Sequence, residues 1–458
     1  MREKAATLAL LAVILGSIGR AVWEWHWAGD LAALALILYL LLEGWSTRSG
    51  PRRVLLAALL SAVAALAFHP APATLLVTAG TLAAAIIGLF ASLGFLREAA
   101  GTSPLIQRCG KLMVHQPPGR RYAVLSLGSH LIGLVLNFGV LSLLGTMVVR
   151  GNTAEAAGGD ARIVAIRSQR MFNAILRGFA TITIWSPLSV SFAVVQTAVH
   201  GLAWWPLLGL QVGLAVIMQA LGWAMDRAAF PRIARSEQPT DWRPLLALSA
   251  LVGTVVAASV LAAELLSVRM VVGAMVVVPP SALIWLWAQH RRAIPALKHL
   301  AGQLTVSMPG FRDEVAMLGG AMFLGTVLSA FVPPEETARL IAMAHLPPAV
   351  LVVLLSWSVM LFAQLGLSQI VSVTLLGGAL TNLSQLGLPP LVMASGLMGA
   401  WALSACSTPV GAAVLTIARM GGVEMSVVAR QWNGRFVLVG ALVLAAWLVA
   451  LLAILDAL

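Results

Sequence analysis

The sequence predicts an all-α polytopic membrane protein, with about eleven transmembrane helices plus two re-entrant hairpins in an inverted repeat. Three observations carry that prediction. The 458 residues are 60% hydrophobic and 10% charged, whereas a soluble domain keeps about a quarter of its residues charged. The basic residues lie in loops between apolar runs rather than along one face. Two short stretches, Trp185-Ser186-Pro187-Leu188-Ser189 and Ser407-Thr408-Pro409-Val410-Gly411, interrupt runs that otherwise read as spanning helices. Lipid offers backbone groups no water, so an interrupted helix persists only inside protein or along a cavity.

Apolar segments run over 5–20, 30–45, 54–69, 72–96, 122–148, 172–201, 203–225, 244–266, 270–289, 314–332, 347–380, 390–418 and 436–456. A simple span takes about 20 residues, and tilt absorbs small departures from that length. The opening Met-Arg-Glu-Lys and the apolar run to Ile18 read as a first span, because no small-residue cleavage site follows.

Sidedness follows from Lys and Arg. Arg48, Arg52 and Arg53 share a face with Arg97, Arg108, Lys111, Arg120 and Arg121, and so do Arg150, Arg162, Arg167 and Arg170. Segment 122–148 separates the last two basic loops, so it must enter and leave by the same face. Segment 347–380 is too long for one crossing, and its flanks 333–346 and 381–389 carry only Arg339. Taken as a hairpin from the opposite face, it keeps the basic loops at 226–243, 290–312 and 419–435 inside. All of the 29 Lys and Arg except Arg20, Arg269 and Arg339 then lie on the cytoplasmic side. The N-terminus is inside, the C-terminus outside, and Trp23, Trp25, Trp27, Trp204 and Trp205 join an outer aromatic belt. The net charge of +12 is explained by this asymmetry and not by nucleic-acid binding.

The hairpins align with each other. Gly128-Ser129-His130-Leu131-Ile132-Gly133 matches Leu367-Ser368-Gln369-Ile370-Val371-Ser372, and an interrupted helix follows each. Proline lacks an N–H and disrupts the preceding turn, which releases carbonyls. Gly128, Gly366 and Gly411 are expected to allow sharp bends. Half-helix ends present N–H groups to anions and carbonyls to cations. The expected substrate site is therefore Ser129, His130, Ser186, Pro187, Ser189, Ser368, Gln369, Ser407, Thr408, Pro409 and Gly411. His130, with Gly128 and Gly366, is expected to serve ion coupling, as the one titratable side chain at a hairpin tip. The competing reading is a neutral His capping a backbone carbonyl.

These features resemble the ion transporter superfamily, closest to the divalent anion–sodium symporter type. Family members carry Ser-Asn-Thr at the hairpin tips and Thr/Ser-Pro-Pro-Asn at the breaks. The corresponding runs here are Ser129-His130-Leu131 and Ser368-Gln369-Ile370, then Ser186-Pro187-Leu188-Ser189 and Thr408-Pro409-Val410-Gly411. The run from Ser426 through Arg430 and Asn433 is similar to the family's closing segment. The resemblance implies a homodimer and an elevator-like shift. Residues 1–121 and 227–346 would form scaffold spans, and 122–226 and 347–458 the two repeats of a transport unit. It also implies a sodium site at the hairpin tips. His130 and Gln369 stand where the family has asparagine, so the coupling ion is left open between proton and sodium.

Arg177 and Arg419 read as interfacial anchors, and Glu43 and Glu264 as solvated groups at span ends. Cys109 lies in a basic loop and Cys406 beside a break, so no disulfide framework is expected. There is no Walker loop, metal-spaced His or Cys cluster, or catalytic triad pattern, and no cofactor is expected. The expected function is secondary active transport of a small anionic solute across the cytoplasmic membrane. The alternative is a membrane-embedded enzyme or assembly factor acting on a lipid-like substrate.

Overall fold

A computed structural model describes residues 1–155, 158–230, 241–380 and 387–457. Among these residues every regular element is helical, and eleven helices or broken helices are long and apolar enough to cross a membrane. The first four spans are α1 (Arg2–Val22), α2 (His26–Glu43), α3 (Ser49–Phe68) and α4 (Pro72–Gly101). Behind the short α5 (Pro104–Val114) come the arms of the first hairpin, α6 (Pro118–Leu136) and α7 (Gly139–Gly151). The next span is broken into α8 (Ala161–Ala180), the one-turn α9 (Ile182–Trp185) and α10 (Val190–Ala198), and α11 (Trp204–Ala229) follows.

The second half repeats this order. Spans α12 (Arg243–Leu265), α13 (Met270–His290) and α15 (Arg312–Ala330) flank α14 (Ala293–Gly310). After α16 (Pro334–Met343) come the arms of the second hairpin, α17 (Pro348–Gln364) and α18 (Gln369–Ala379). A second broken span, α19 (Pro390–Ser407) with α20 (Ala412–Gly421), leads to a last span, α21 (Gly434–Asp456). The basic loop expected at 226–243 and the flank at 381–389 lie partly outside the described residues, at 231–240 and 381–386.

Four spans precede the first hairpin and nine precede the second. An odd difference places the two hairpins on opposite faces, whichever way the chain is oriented. Contacts between span ends agree with that count. Arg48, before α3, pairs with Asp313 at the start of α15, while His69 and Phe331 meet edge to face at their far ends. Arg2 pairs with Glu43 through two bonds of 2.9 Å, with Arg312 4.0 Å away. Glu43 is only 1% exposed, so the expectation of a solvated group there is corrected. A carboxylate at that depth is tolerable because the guanidinium neutralises it.

The repeats interlock by exchange. The first arm of each hairpin packs on the first half of its own broken span, α6 on α8 and α17 on α19. The second arms cross over: α7 packs on α20 and α18 on α10. Each repeat therefore completes the other's broken helix. The α6–α8 contact brings backbone against backbone: a Cβ on Gly178 would lie 2.1 Å from the Ser126 carbonyl oxygen and 3.0 Å from its Cα. Backbone-to-backbone approach of this kind replaces the hydrophobic driving force that lipid cannot supply between helices.

Gly178→Ala is expected to push α6 off α8 and cost about 1–3 kcal/mol, lowering the thermal midpoint in detergent. Gly209→Ala, where a Cβ meets nothing within 4 Å, is expected to leave the midpoint unchanged or raise it slightly.

Candidate functional site

The first break lies where the sequence places it. Pro187 has no N–H for the Thr183 carbonyl, and the Ser191 hydroxyl donates to that oxygen instead, at 2.7 Å. The Leu188 N–H turns to the Ser186 hydroxyl oxygen, which releases the Ile184 carbonyl to accept from Gln211 Nε2 at 2.9 Å. Gln211 in turn accepts from Ser395, whose hydroxyl accepts from the Trp447 indole N–H. Ser189 caps α10, its hydroxyl accepting from the Phe192 N–H and donating to the Ser186 carbonyl. Ser186, Pro187, Leu188 and Ser189 are all buried.

The second break is more open. Pro409 lacks a donor, and the Gly411 N–H bonds the Thr408 carbonyl rather than reaching back to Ser407. The Ser407 carbonyl accepts instead from Gln364 Nε2, at the end of α17, at 3.2 Å; the same amide lies 3.0 Å from the Ser407 hydroxyl. The Thr408 hydroxyl donates to the Ser404 carbonyl. Val410 is 61% exposed, and so are the neighbouring Leu365, Gly366 and Leu367 of the second hairpin tip in large part. No side chain caps the N-terminus of α20. The second hairpin tip and the second break thus meet through Gln364 and Ser407, and both carry exposed residues.

The second tip falls where the sequence puts it, over Leu365–Ser368, with Gly366 at φ +90° and the Ser368 hydroxyl capping α18 through the Ile370 N–H. Gln369 opens α18 and is half-buried. The first tip does not. It lies at Asn137-Phe138, where Asn137 takes φ +50° and ψ −131°. Gly128, Ser129 and His130 sit inside α6, about two turns earlier, so the alignment of 128–133 with 367–372 is corrected. Gly128 provides close approach to Met113 rather than a bend, and Gly411 takes an ordinary φ of −72°. Residues 128–133 fill helical positions against α8, and their polar groups serve that contact.

Ser129 donates to the Ile175 carbonyl at 2.8 Å. His130 Nε2 lies 2.8 Å from the Trp185 indole nitrogen, which only donates, so Nε2 is the acceptor. Nδ1 then carries the proton and faces the Gly178 carbonyl at 3.2 Å and the Thr181 hydroxyl at 3.1 Å. His130 therefore clamps α6 to the turn that ends in the first break, with its ring nearly parallel to that of Trp185 and the centroids 5.8 Å apart. Gln219 of α11 joins the cluster, donating to Thr181 and accepting from Ser126.

Arg177 is not an interfacial anchor. It is 7% exposed, lies 4.4 Å over the Phe436 ring, and donates to Asn433 Oδ1, the Trp432 carbonyl and the Tyr122 hydroxyl. It ties α8 of the first repeat to the π-helical turn 427–432 ahead of α21 in the second. Beside the first tip a cavity of about 20 Å³, room for one water, is lined by Asn137, Phe138, Arg97, Phe311 and Glu314 among others.

Sequence reasoning missed Gln364, Gln211, Gln219 and Thr181. Each is a polar residue within a long apolar run, and only the packed fold reveals its partner: released carbonyls for Gln364 and Gln211, and the cluster around His130 for Gln219 and Thr181. The sodium implied by the motif resemblance needs converging oxygen lone pairs without donors among them. Here amide and hydroxyl donors stand on the released carbonyls themselves, so the set does not fit an alkali cation.

No family profile and no curated protein matches the chain. Its fold is similar to that of the Alcanivorax borkumensis YdaH transporter, whose crystal structure is described as having an unusual topology. The TM-score is 0.52 at 15% identity, over 78% of this chain and 84% of that one. The likeness shows a shared fold. The chain is a multi-pass membrane protein, and the likeness to the divalent anion–sodium symporter type rests on motifs alone.

Trp185→Phe keeps an aromatic ring and removes the donor to His130. A loss of about 1 kcal/mol in stability is expected, read as a lower thermal midpoint, with no further loss when His130→Phe is added.

Proposed function

We propose that the protein is a secondary transporter that moves a small anionic solute across the cytoplasmic membrane by alternating access. The observation that carries this reading is the meeting of the second hairpin tip with the second break, beside exposed residues, through Gln364 and Ser407. Two discontinuities at one point are costly in lipid and recur where a carrier grips its cargo. The uncapped first turn of α20, Ser368 and Gln369 supply donors for an anion there, and the Ser407 and Thr408 hydroxyls, bonded to the carbonyls of their own helix, shape its edge. Ser186, Pro187 and Ser189 shape the buried counterpart at the first break, with Pro409 and Gly411 setting the second.

Residues 122–226 and 347–458 form the transport unit in this reading, and 1–121 with 227–346 the scaffold. The crossed hairpin arms support movement of both repeats together, because neither broken span is complete alone. The basic loops orient the N-terminus inside and the C-terminus outside. The homodimer implied by the motif resemblance would join two scaffolds.

Proton coupling has a specific route at His130. A proton added at Nε2 meets the Trp185 N–H and must displace it, which loosens the residue that ends α9. His130→Gln is therefore expected to flatten the pH dependence of transport while leaving the protein folded. A pH profile identical to the wild type would remove His130 from the coupling.

The function is tested by a thermal-shift screen of purified protein against carboxylates, sulfonates, oxyanions and amino acids, then by counterflow of the stabilising solute in proteoliposomes. Accumulation of unchanged solute is expected; conversion to product without accumulation would overturn the carrier reading. The site is tested by Val410→Cys. A water-soluble maleimide should label it and be excluded by the solute, against a silent background. Cys109 and Cys406 are both buried, and burial pushes the Cys109 thiol up to about 11.

A further inference from the structure

We infer that Gln364 and Gln211 occupy the places that a coupling alkali cation would take at the two breaks, and that the carrier works without one. This rests on the carrier reading and concerns how its two discontinuities are held.

An α-helix broken by proline releases the carbonyl four residues before the proline, and the change of direction releases those that follow. In a membrane these oxygens must find a partner. A cation is one such partner, because it gathers several carbonyls and hydroxyls at a point. A side-chain N–H is another, and it brings its own partial positive charge permanently. The chain uses the second means at both breaks. Gln211 Nε2 sits 2.9 Å from the Ile184 carbonyl oxygen, and Gln364 Nε2 sits 3.2 Å from that of Ser407. The Ser191 hydroxyl takes the Thr183 carbonyl that Pro187 leaves open. A cation approaching the Ile184 or Ser407 oxygen would meet an N–H whose positive end already points at that oxygen.

A supporting contact fixes the Gln211 amide in the donating orientation. Gln211 cannot be flipped without loss, since its Oε1 accepts from the Ser395 hydroxyl. Ser395 is held in turn by the Trp447 N–H, which can only donate. Gln364 places the same Nε2 over both the carbonyl and the hydroxyl oxygen of Ser407, so neither is left without a donor. The hairpin tips add no alternative. His130 has both ring nitrogens engaged, and the Ser368 hydroxyl oxygen is used by the Ile370 N–H.

The test reads cation binding directly and needs no solute, so its failure is separable from failure of the carrier reading. Thermal midpoints of the purified full-length protein are compared in sodium, lithium, potassium and choline chloride at equal ionic strength. The wild type is expected to give the same midpoint in all four. Gln364→Glu replaces the donor with a carboxylate beside the Ser407 oxygens and is expected to gain a saturable rise of a few degrees in sodium over choline. A saturable sodium- or lithium-specific rise in the wild type would overturn the inference, and this readout does not depend on any variant folding. A folded Gln364→Glu protein with equal midpoints in sodium and choline would equally overturn the placement of Gln364.

Discussion

A backbone carbonyl released inside a bilayer has no water to turn to, and the rest of this structure is arranged around the carbonyls released at two prolines. At the first break the donors are Ser191 on α10 and Gln211 on α11; at the second, Gln364 on a hairpin arm. Each donor comes from an element that the break itself brings near. The breaks therefore cannot form before their neighbours pack, and the neighbours' polar side chains would be unsatisfied without the breaks. That mutual requirement binds hairpin, broken helix and following span into one unit.

The same logic explains the crossed packing. A hairpin that enters from one face cannot reach the far half of a helix that starts on that same face. It covers the first half, as α6 covers α8 and α17 covers α19, and leaves the far half to the hairpin from the opposite side. Opposite entry and exchanged second arms are one geometrical fact seen twice. Arg177 reinforces the exchange by reaching from α8 to Trp432 and Asn433, so a buried guanidinium that meets no carboxylate among the described residues is satisfied by neutral oxygens of the other repeat. Its positive charge is dispersed over carbonyl, amide, hydroxyl and ring, which lowers the cost of burial.

Large features were legible in the sequence because they depend on totals and periods. Hydrophobic length gave the eleven spans, the distribution of Lys and Arg forced two segments to return to the face they entered, and Pro187 and Pro409 marked the breaks to the residue. The second tip was legible too, because Gly366 needs a backbone conformation that most residues avoid. The first tip was not. It turns at Asn137, which tolerates positive φ less obviously than glycine, while the more conspicuous Gly128-Ser129-His130 lies within a helix. A short polar run in an apolar helix marks a helix contact as readily as a bend, and letters alone do not separate the two. Glu43 and Arg177 failed for a related reason: a charge near a span end reads as solvated until its partner, distant in sequence, is known.

What distinguishes an amide from a cation at a break is permanence. A cation arrives and leaves, so it can make the shape of the break depend on an external gradient. An amide stays through every state and holds the break in one form. A carrier built on Gln211 and Gln364 must then draw its directionality from elsewhere, either from the solute gradient or from a bond that a proton can exchange. The His130–Trp185 contact is such a bond, since its acceptor is the nitrogen a proton would claim and its donor is the residue preceding Ser186. The first break, buried and fully bonded, is in this view the regulated one. The second, held by Gln364 beside exposed residues, is the one the solute would meet in the proposed carrier.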